Sequence, residues 1–358
     1  MDDIEGALEL LKKALAQNPN DITIQIDIAN LYATNKKFLE ATIYFRQLLS
    51  LTNGNEDIKQ GLTFCLAEIG NNYQLNRKYK LAKDTFEEAL THDPNNSDYL
   101  FNYGNALFSL NQFDSAIDAY QGSINNNSIK PDADTYNNLG NAYRRLGKNK
   151  DAIKFYKKAL EINPELIHSK VELTHLMQHI CEWENIDIFF DEIKNHITNK
   201  PKGKISPFTV LSMPNLNNKD HLRVATTWSE QIKIKPLSKI NTPIKDKLTI
   251  GYLSADFRKH PLYYLIFDIL KNHNKKIFNI KLFYSGLNEP SNEHEQFKKL
   301  GYQFINLSKE SDAQGAQLIR DEEVDILVDL SGFTQNSRSF IAAYKPARYH
   351  INWLGFPF

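Results

Sequence analysis

Cysteine is nearly absent from the 358 residues, occurring only as Cys65 and Cys181. A disulfide framework or a cysteine-rich zinc module is thereby excluded. Both cysteines fall in patterns that read as buried helix, and the cytoplasm is the simplest compartment. Surplus charge is missing too: 43 Lys and Arg face 43 Asp and Glu, for a formal net charge of +0. A binder of phosphate backbones normally carries a basic excess, so nucleic acid is not an expected partner. No apolar run approaches the ~20 residues that span a bilayer, so neither is a membrane. The acidic start MDDIEG cannot act as the basic beginning of a signal peptide. Neither GxGxxG nor GxxxxGK[ST] occurs, which leaves nicotinamide and P-loop chemistry without a phosphate cradle.

What the chain does hold is repetition. Gly140, Tyr143, Ala152, Tyr156, Ala159 and Pro164 recur at the same offsets as Gly70, Tyr73, Ala82, Phe86, Ala89 and Pro94. Two weaker units follow the register, one with Ala29, Tyr32, Ala41 and Phe45, the other with Gly104, Ala116 and Tyr120. Ala7, Leu11, Ala14 and Pro19 fit half of a fifth, as if the array began before Met1. A period of about 34 residues with these small and aromatic positions is the tetratricopeptide signature. Gly or Ala lets paired helices approach, while Tyr and Phe are expected to fill the gap to the next hairpin. The expected fold of 1–166 is a superhelix whose groove takes protein or peptide partners, with a spacer role as the alternative. Asn53 to Asp57 and Asn125 to Asp132 read as lengthened connections.

After Pro164 the helical signal continues without the repeat spacing. Leu173, Met177, Ile180 and Trp183 form an apolar stripe, the proline-bearing stretch from Pro201 to Asp220 reads as a connector, and a helix is expected near His221 to Ile234. His175 and His179 stand four apart on one helix, with His168 nearby, but no carboxylate base motif accompanies them and no metal site is expected. A helical connector is thus expected over 167–246.

From Lys247 the period changes. KLTIGYLSADF, FNIKLFYSG, YQFINLS, VDILVDLSGF and YHINWLGF read as buried strands, with amphipathic segments between them. Alternation of this kind predicts a parallel sheet with helices on both faces over 247–358, and functional residues at the carboxyl ends of strands. The loop SADFRKHP packs Asp256, Arg258, Lys259 and His260 just past the first strand, with Pro261 opening the next helix. His260 reads equally as an acid–base or anion-binding group and as a cap that orders the loop.

GYLSADFRKHP, VDILVDLSGFTQNSR and KPARYHINWLGFP, in this order and preceded by repeats, resemble the catalytic region of protein O-linked N-acetylglucosamine transferases, the Spindly-like family. The resemblance implies an α-solenoid followed by the first Rossmann-like lobe of a two-lobe glycosyltransferase. It implies inverting, metal-independent transfer of a sugar from UDP-N-acetylglucosamine to Ser or Thr of proteins, with no further cofactor. It places the catalytic-site histidine on His260, and Asp256, Gly332, Thr334, Arg338, Leu354, Gly355 and Pro357 at the cleft. It also implies that the second, donor-binding lobe is missing from these residues. Gln317 and Arg320 stand where animal-type relatives place Asp and His, and Lys345, Arg348 and His350 depart from the family pattern. The rival expectation is a non-catalytic repeat scaffold.

Overall fold

A computed structural model describes residues 2–125, 132–199, 205–230, 234–241, 243, 246–286, 291–334 and 337–355. It divides into two compact units, Met1–Asn163 and Pro164–Phe358.

The first unit is helical throughout its regular structure. A single helix α1 (Asp2–Gln17) precedes four hairpins: α2 (Ile22–Thr34) with α3 (Phe38–Leu51), α4 (Glu56–Leu75) with α5 (Tyr79–His92), α6 (Ser97–Ser109) with α7 (Phe113–Asn125), and α8 (Ala133–Arg145) with α9 (Asn149–Ile162). Asp21, Asn55 and Asn96 start three of these helices, each side chain accepting two N–H groups of the first turn. The turn inside each hairpin needs a left-handed residue, supplied by Lys36, Arg77, Asn111 and Gly147 at φ 60°, 58°, 60° and 72°. In each the next N–H reaches back five residues, as from Lys148 to the Tyr143 carbonyl at 3.0 Å. A Cβ on Gly70, Gly104 or Gly140 would lie 2.7, 2.6 or 2.8 Å from the ring of Phe86, Tyr120 or Tyr156. These rings therefore seat on the glycine of their own hairpin, whereas sequence reasoning put them in the gap to the next. Phe45, over Gly61 of the following hairpin, does bridge that gap.

The second unit opens with α10 (Ile167–His179), α11 (Ile186–Asn199) and, after a short 3-10 turn, α12 (Asn218–Glu230). The repeat spacing persists through α10, contrary to the sequence expectation. Cys181 falls one period after Gly147, at φ 58°, and Glu182 N–H returns to the Met177 carbonyl at 2.9 Å. The register was hidden because Thr174 and Met177 replace the Gly and Tyr of the repeat. Cys181 is consequently exposed rather than buried, and the apolar stripe stops at Met177, with Trp183 58% exposed. Cys65 is buried, which pushes its thiol up to about 11.

Five parallel strands follow: β1 (Leu248–Ser254), β2 (Phe278–Tyr284), β3 (Gln303–Asn306), β4 (Ile326–Asp329) and β5 (Tyr349–Asn352), in the order 3-2-1-4-5. Helices α13 (Pro261–Lys271) and α14 (Asn292–Lys298) contribute Leu262, Ile266, Leu270 and Phe297 to one core with Leu282 and Tyr284. Helices α15 (Asp312–Asp321) and α16 (Ser339–Ala343) contribute Ala316, Ile319 and Ile341 to a second core with Leu253, Phe283 and Leu327. Burial in the middle of the sheet explains why β1, β2 and β4 read as apolar runs. The expectation of burial fails at the two ends of the strand order: β3 has no buried residue and β5 is exposed along its length, because each pairs on one side only. The segment before β1 is bound to the lobe: Leu237 N–H donates to the Tyr344 carbonyl at 2.8 Å, and Arg320 Nη1 to the Ser238 carbonyl at 2.6 Å.

Candidate active site

Strand order reverses between β1 and β4, and in such sheets the carboxyl ends flanking the reversal form the ligand crevice. The β1 end runs into residues 255–260. Asp256 N–H donates to Ser254 Oγ at 2.9 Å, and the Asp256 carboxylate, 7% exposed, receives Arg258 Nε at 3.3 Å and Nη2 at 3.2 Å. Phe257 turns inward and is fully buried. The chain then reaches His260 in extended backbone, with Pro261 in the first turn of α13.

His260 Nδ1 accepts the Leu262 N–H at 3.2 Å, so the residue caps α13. This hydrogen bond also decides the tautomer: with Nδ1 accepting, the neutral ring carries its proton on Nε2. Nε2 lies 3.9 Å from the nearer Asp256 oxygen and the side chain is 39% exposed, so that nitrogen remains accessible. An Nε2–H can donate to an anion or a hydroxyl, and it has no lone pair with which to act as a base.

The β4 end supplies the opposite wall. Asp329 Oδ1 accepts the N–H groups of Ser331 at 2.8 Å and Gly332 at 3.3 Å, a turn that Gly332 closes at φ 54°. Burial raises the Asp329 carboxyl above its usual range although both hydrogen bonds oppose it. Thr334 Oγ1 donates to the Ser331 carbonyl at 2.8 Å. Gly355 packs on this turn so closely that a Cβ there would meet Gly332 N at 2.5 Å and the Ser331 carbonyl carbon at 2.6 Å. Leu354, at φ 63° and 44% exposed, precedes it, while Pro357 lies outside the described residues. On the other side, a Cβ on Gly286 would lie 2.3 Å from the Ala255 carbonyl oxygen. Asp256 and His260 thus sit at the β1 end, and Gly332, Thr334 and Gly355 are packed together at the β4 end.

Arg338 does not join them. Its guanidinium is buried, with Nε on Asp312 Oδ1 at 2.7 Å, Nη1 on the Leu307 carbonyl at 2.6 Å and Nη2 on the Glu310 carbonyl at 2.8 Å. It clasps the β3–α15 connection and presents no free edge to a ligand. Arg320 is similarly engaged with the carbonyls of Ser238, Lys345 and Pro346. Sequence reasoning missed three participants. Trp228 of α12 stands edge-on to Phe333 with ring centroids 6.4 Å apart. Ser291 and His294 bond to the loop before His260, and the only advance signal was Ser291 in a capping position ahead of a helical run.

Residues 230–358 match the model for glycosyl transferase family 41, and 68–134 and 133–166 match tetratricopeptide repeat models. The chain is an O-GlcNAc-transferase-like protein with tetratricopeptide repeats. It is 25% identical over 202 residues to the probable UDP-N-acetylglucosamine–peptide N-acetylglucosaminyltransferase SEC of Arabidopsis thaliana, covering 52% of this chain and 21% of that protein. It is 31% identical over 122 residues to the probable enzyme SPINDLY of Oryza sativa subsp. japonica, covering 33% of this chain and 13% of that protein. A solved structure of a Thermobaculum terrenum O-GlcNAc transferase mutant aligns at TM-score 0.49 and 18% identity, over 83% of this chain and 51% of that one. The matched region spans about a fifth or less of these two plant relatives. Among the described residues no helix is long and apolar enough to cross a membrane.

Proposed function

We propose that the chain carries the repeat unit and first α/β lobe of a protein O-glycosyltransferase that moves N-acetylglucosamine from UDP-N-acetylglucosamine to Ser or Thr, with inversion and without a metal. The observation that supports this reading best is the placing of the matched SADFRKHP and LSGFT segments on the two strands that flank the order reversal. In the reaction the acceptor oxygen bonds to the anomeric carbon as the bond from that carbon to the diphosphate oxygen breaks, and the hydroxyl proton leaves with the departing diphosphate, the base that the reaction itself supplies. His260 serves as an Nε2–H donor at the first turn of α13, where the helix dipole and a fixed donor stabilise developing negative charge. Transfer of a proton to His260 is not part of this scheme, because Nε2 already holds one. The repeats present acceptor proteins, and the reaction takes place in the cytoplasm.

A second reading, a repeat scaffold without catalysis, draws on the capping bond of His260 and the inward turn of Arg338. His260→Ala separates the two when made in a protein carrying the complete two-lobe catalytic region. Transfer to a Ser/Thr peptide, followed by mass spectrometry in the presence of EDTA, should fall by about 10²-fold or more. Unaltered transfer alongside a stability loss of about 0.5–2 kcal/mol would leave His260 with the cap alone.

A further inference from the structure

The β1–α13 loop is held from outside as well as from within. Ser291 Oγ accepts the Lys259 N–H at 3.0 Å and, as the cap of α14, the His294 N–H at 3.1 Å. His294 Nδ1 lies 2.6 Å from the Phe257 carbonyl oxygen, which only accepts, so His294 carries its proton on Nδ1. The imidazole is 5% exposed and meets the rings of Tyr284 and Phe304 edge-on, with centroids 4.8 and 5.1 Å away. Its packing leaves little room for another ring orientation. Both residues flanking Arg258 are thereby tied to the first turn of α14, and the Lys259 tether adjoins His260 directly.

We infer that His294 and Ser291 are positioning residues for His260, setting the backbone from which its imidazole reaches Leu262 N–H and so keeping Nε2–H directed outward. The catalytic consequence rests on the proposed glycosyl transfer, whereas the positioning itself does not. Without the clamp, residues 257–259 lose two anchors, and the His260 ring is free to leave the cap and exchange tautomers.

Imidazole nitrogen NMR on the 358-residue chain tests this directly. His294→Phe keeps an aromatic ring but removes the donor, and should shift His260 from an Nε2–H signature to a tautomer mixture. His294→Asn places an amide N–H near the position of Nδ1–H and should restore the wild-type signature. Ser291→Ala, a milder change, should move the same resonances if His294→Phe does not fold. Wild-type His260 resonances in folded His294→Phe or in Ser291→Ala would overturn the inference, even if melting temperatures fell. In the two-lobe protein, His294→Phe should lower kcat about tenfold with KM within about twofold, and Asn should recover most of it. A tautomer response with transfer indifferent to His260→Ala would refute the proposed function while leaving the clamp intact.

Discussion

Two glycines of the repeat unit should respond in opposite directions to the same substitution. Gly104 and Gly122 both lie inside helices, where replacing Gly by Ala gains roughly 0.8–1 kcal/mol of helix propensity. At Gly122 the new Cβ would find only the end of Leu100, at 3.4 Å, a side chain able to yield. At Gly104 it would stand 2.6 Å from the Tyr120 ring. That ring cannot yield easily, because Tyr120 is 1% exposed and its hydroxyl donates to Asn105 Oδ1 at 2.8 Å. Overpacking of this kind costs about 1–3 kcal/mol. Gly122→Ala is therefore expected to stabilise by about 0.5–1 kcal/mol, and Gly104→Ala to destabilise by up to ~2 kcal/mol after the propensity gain is subtracted. For a unit of this size the two melting temperatures should differ by several degrees, at roughly 2–4 °C per kcal/mol. Thermal denaturation followed by circular dichroism on residues 1–358 reads this difference. Equal stabilisation by both variants would refute the reading that the ring of Tyr120 seated on Gly104 sets the spacing between α6 and α7.

Arg338→Met should cost about 3–5 kcal/mol in denaturant titration, since it strands the Asp312 carboxylate and two carbonyls; an unchanged midpoint would return Arg338 to the cleft. Asp329 holds its proton to higher pH when folded than when unfolded, so its stabilising contribution is full below the usual carboxylate pKa and is lost as pH rises through the raised value. Asp329→Asn, whose Oδ1 still accepts both N–H groups, should gain on wild type from about pH 4 upward, and a relative loss over that range would refute the burial argument. Burial lowers the pKa of His273, which meets the Tyr252 hydroxyl at 2.8 Å. Its contribution is full above about pH 6.5 and is lost as pH falls through the lowered value, so His273→Gln should flatten the acid side of the stability profile. The resemblance implies a donor site in a second lobe, so residues 247–358 should hold UDP at about millimolar Kd or weaker, ~4 kcal/mol; micromolar binding by calorimetry would contradict this.

Much of the architecture was legible because it rests on period. The five apolar runs became β1 to β5, and the amphipathic segments between them became α13 to α16, since strands and helices leave different spacings, although the runs of β3 and β5 are exposed where burial was expected. The repeat glycines were legible for the same reason, although their partners were not: whether Phe86 seats on its own hairpin or the next depends on side-chain direction, which a linear pattern does not carry. Site residues were less legible still. Arg338 lies in a family motif, yet the groups that claim it stand 26 to 31 positions earlier, two of them backbone carbonyls that no residue type announces. His260 was balanced between cap and chemistry, and the hydrogen bond to Leu262 N–H joins the two by choosing which nitrogen stays outside. His294 was hidden because its partner is again a carbonyl, that of Phe257.

The strand order also sets a timetable. Each helical hairpin touches its sequence neighbours, so the repeats can close one after another while the chain is being made. The sheet cannot follow that rule. β1 lies between β2 and β4, and the bond from Thr249 N–H to Asp325 Oδ2 joins residues 76 positions apart. Until β4 has left the ribosome, one edge of β1 stays open and Leu253 lacks the Asp329 neighbour that completes its register. A nascent chain stopped near residue 320 should therefore display finished repeats beside a lobe still open to proteases and chaperones.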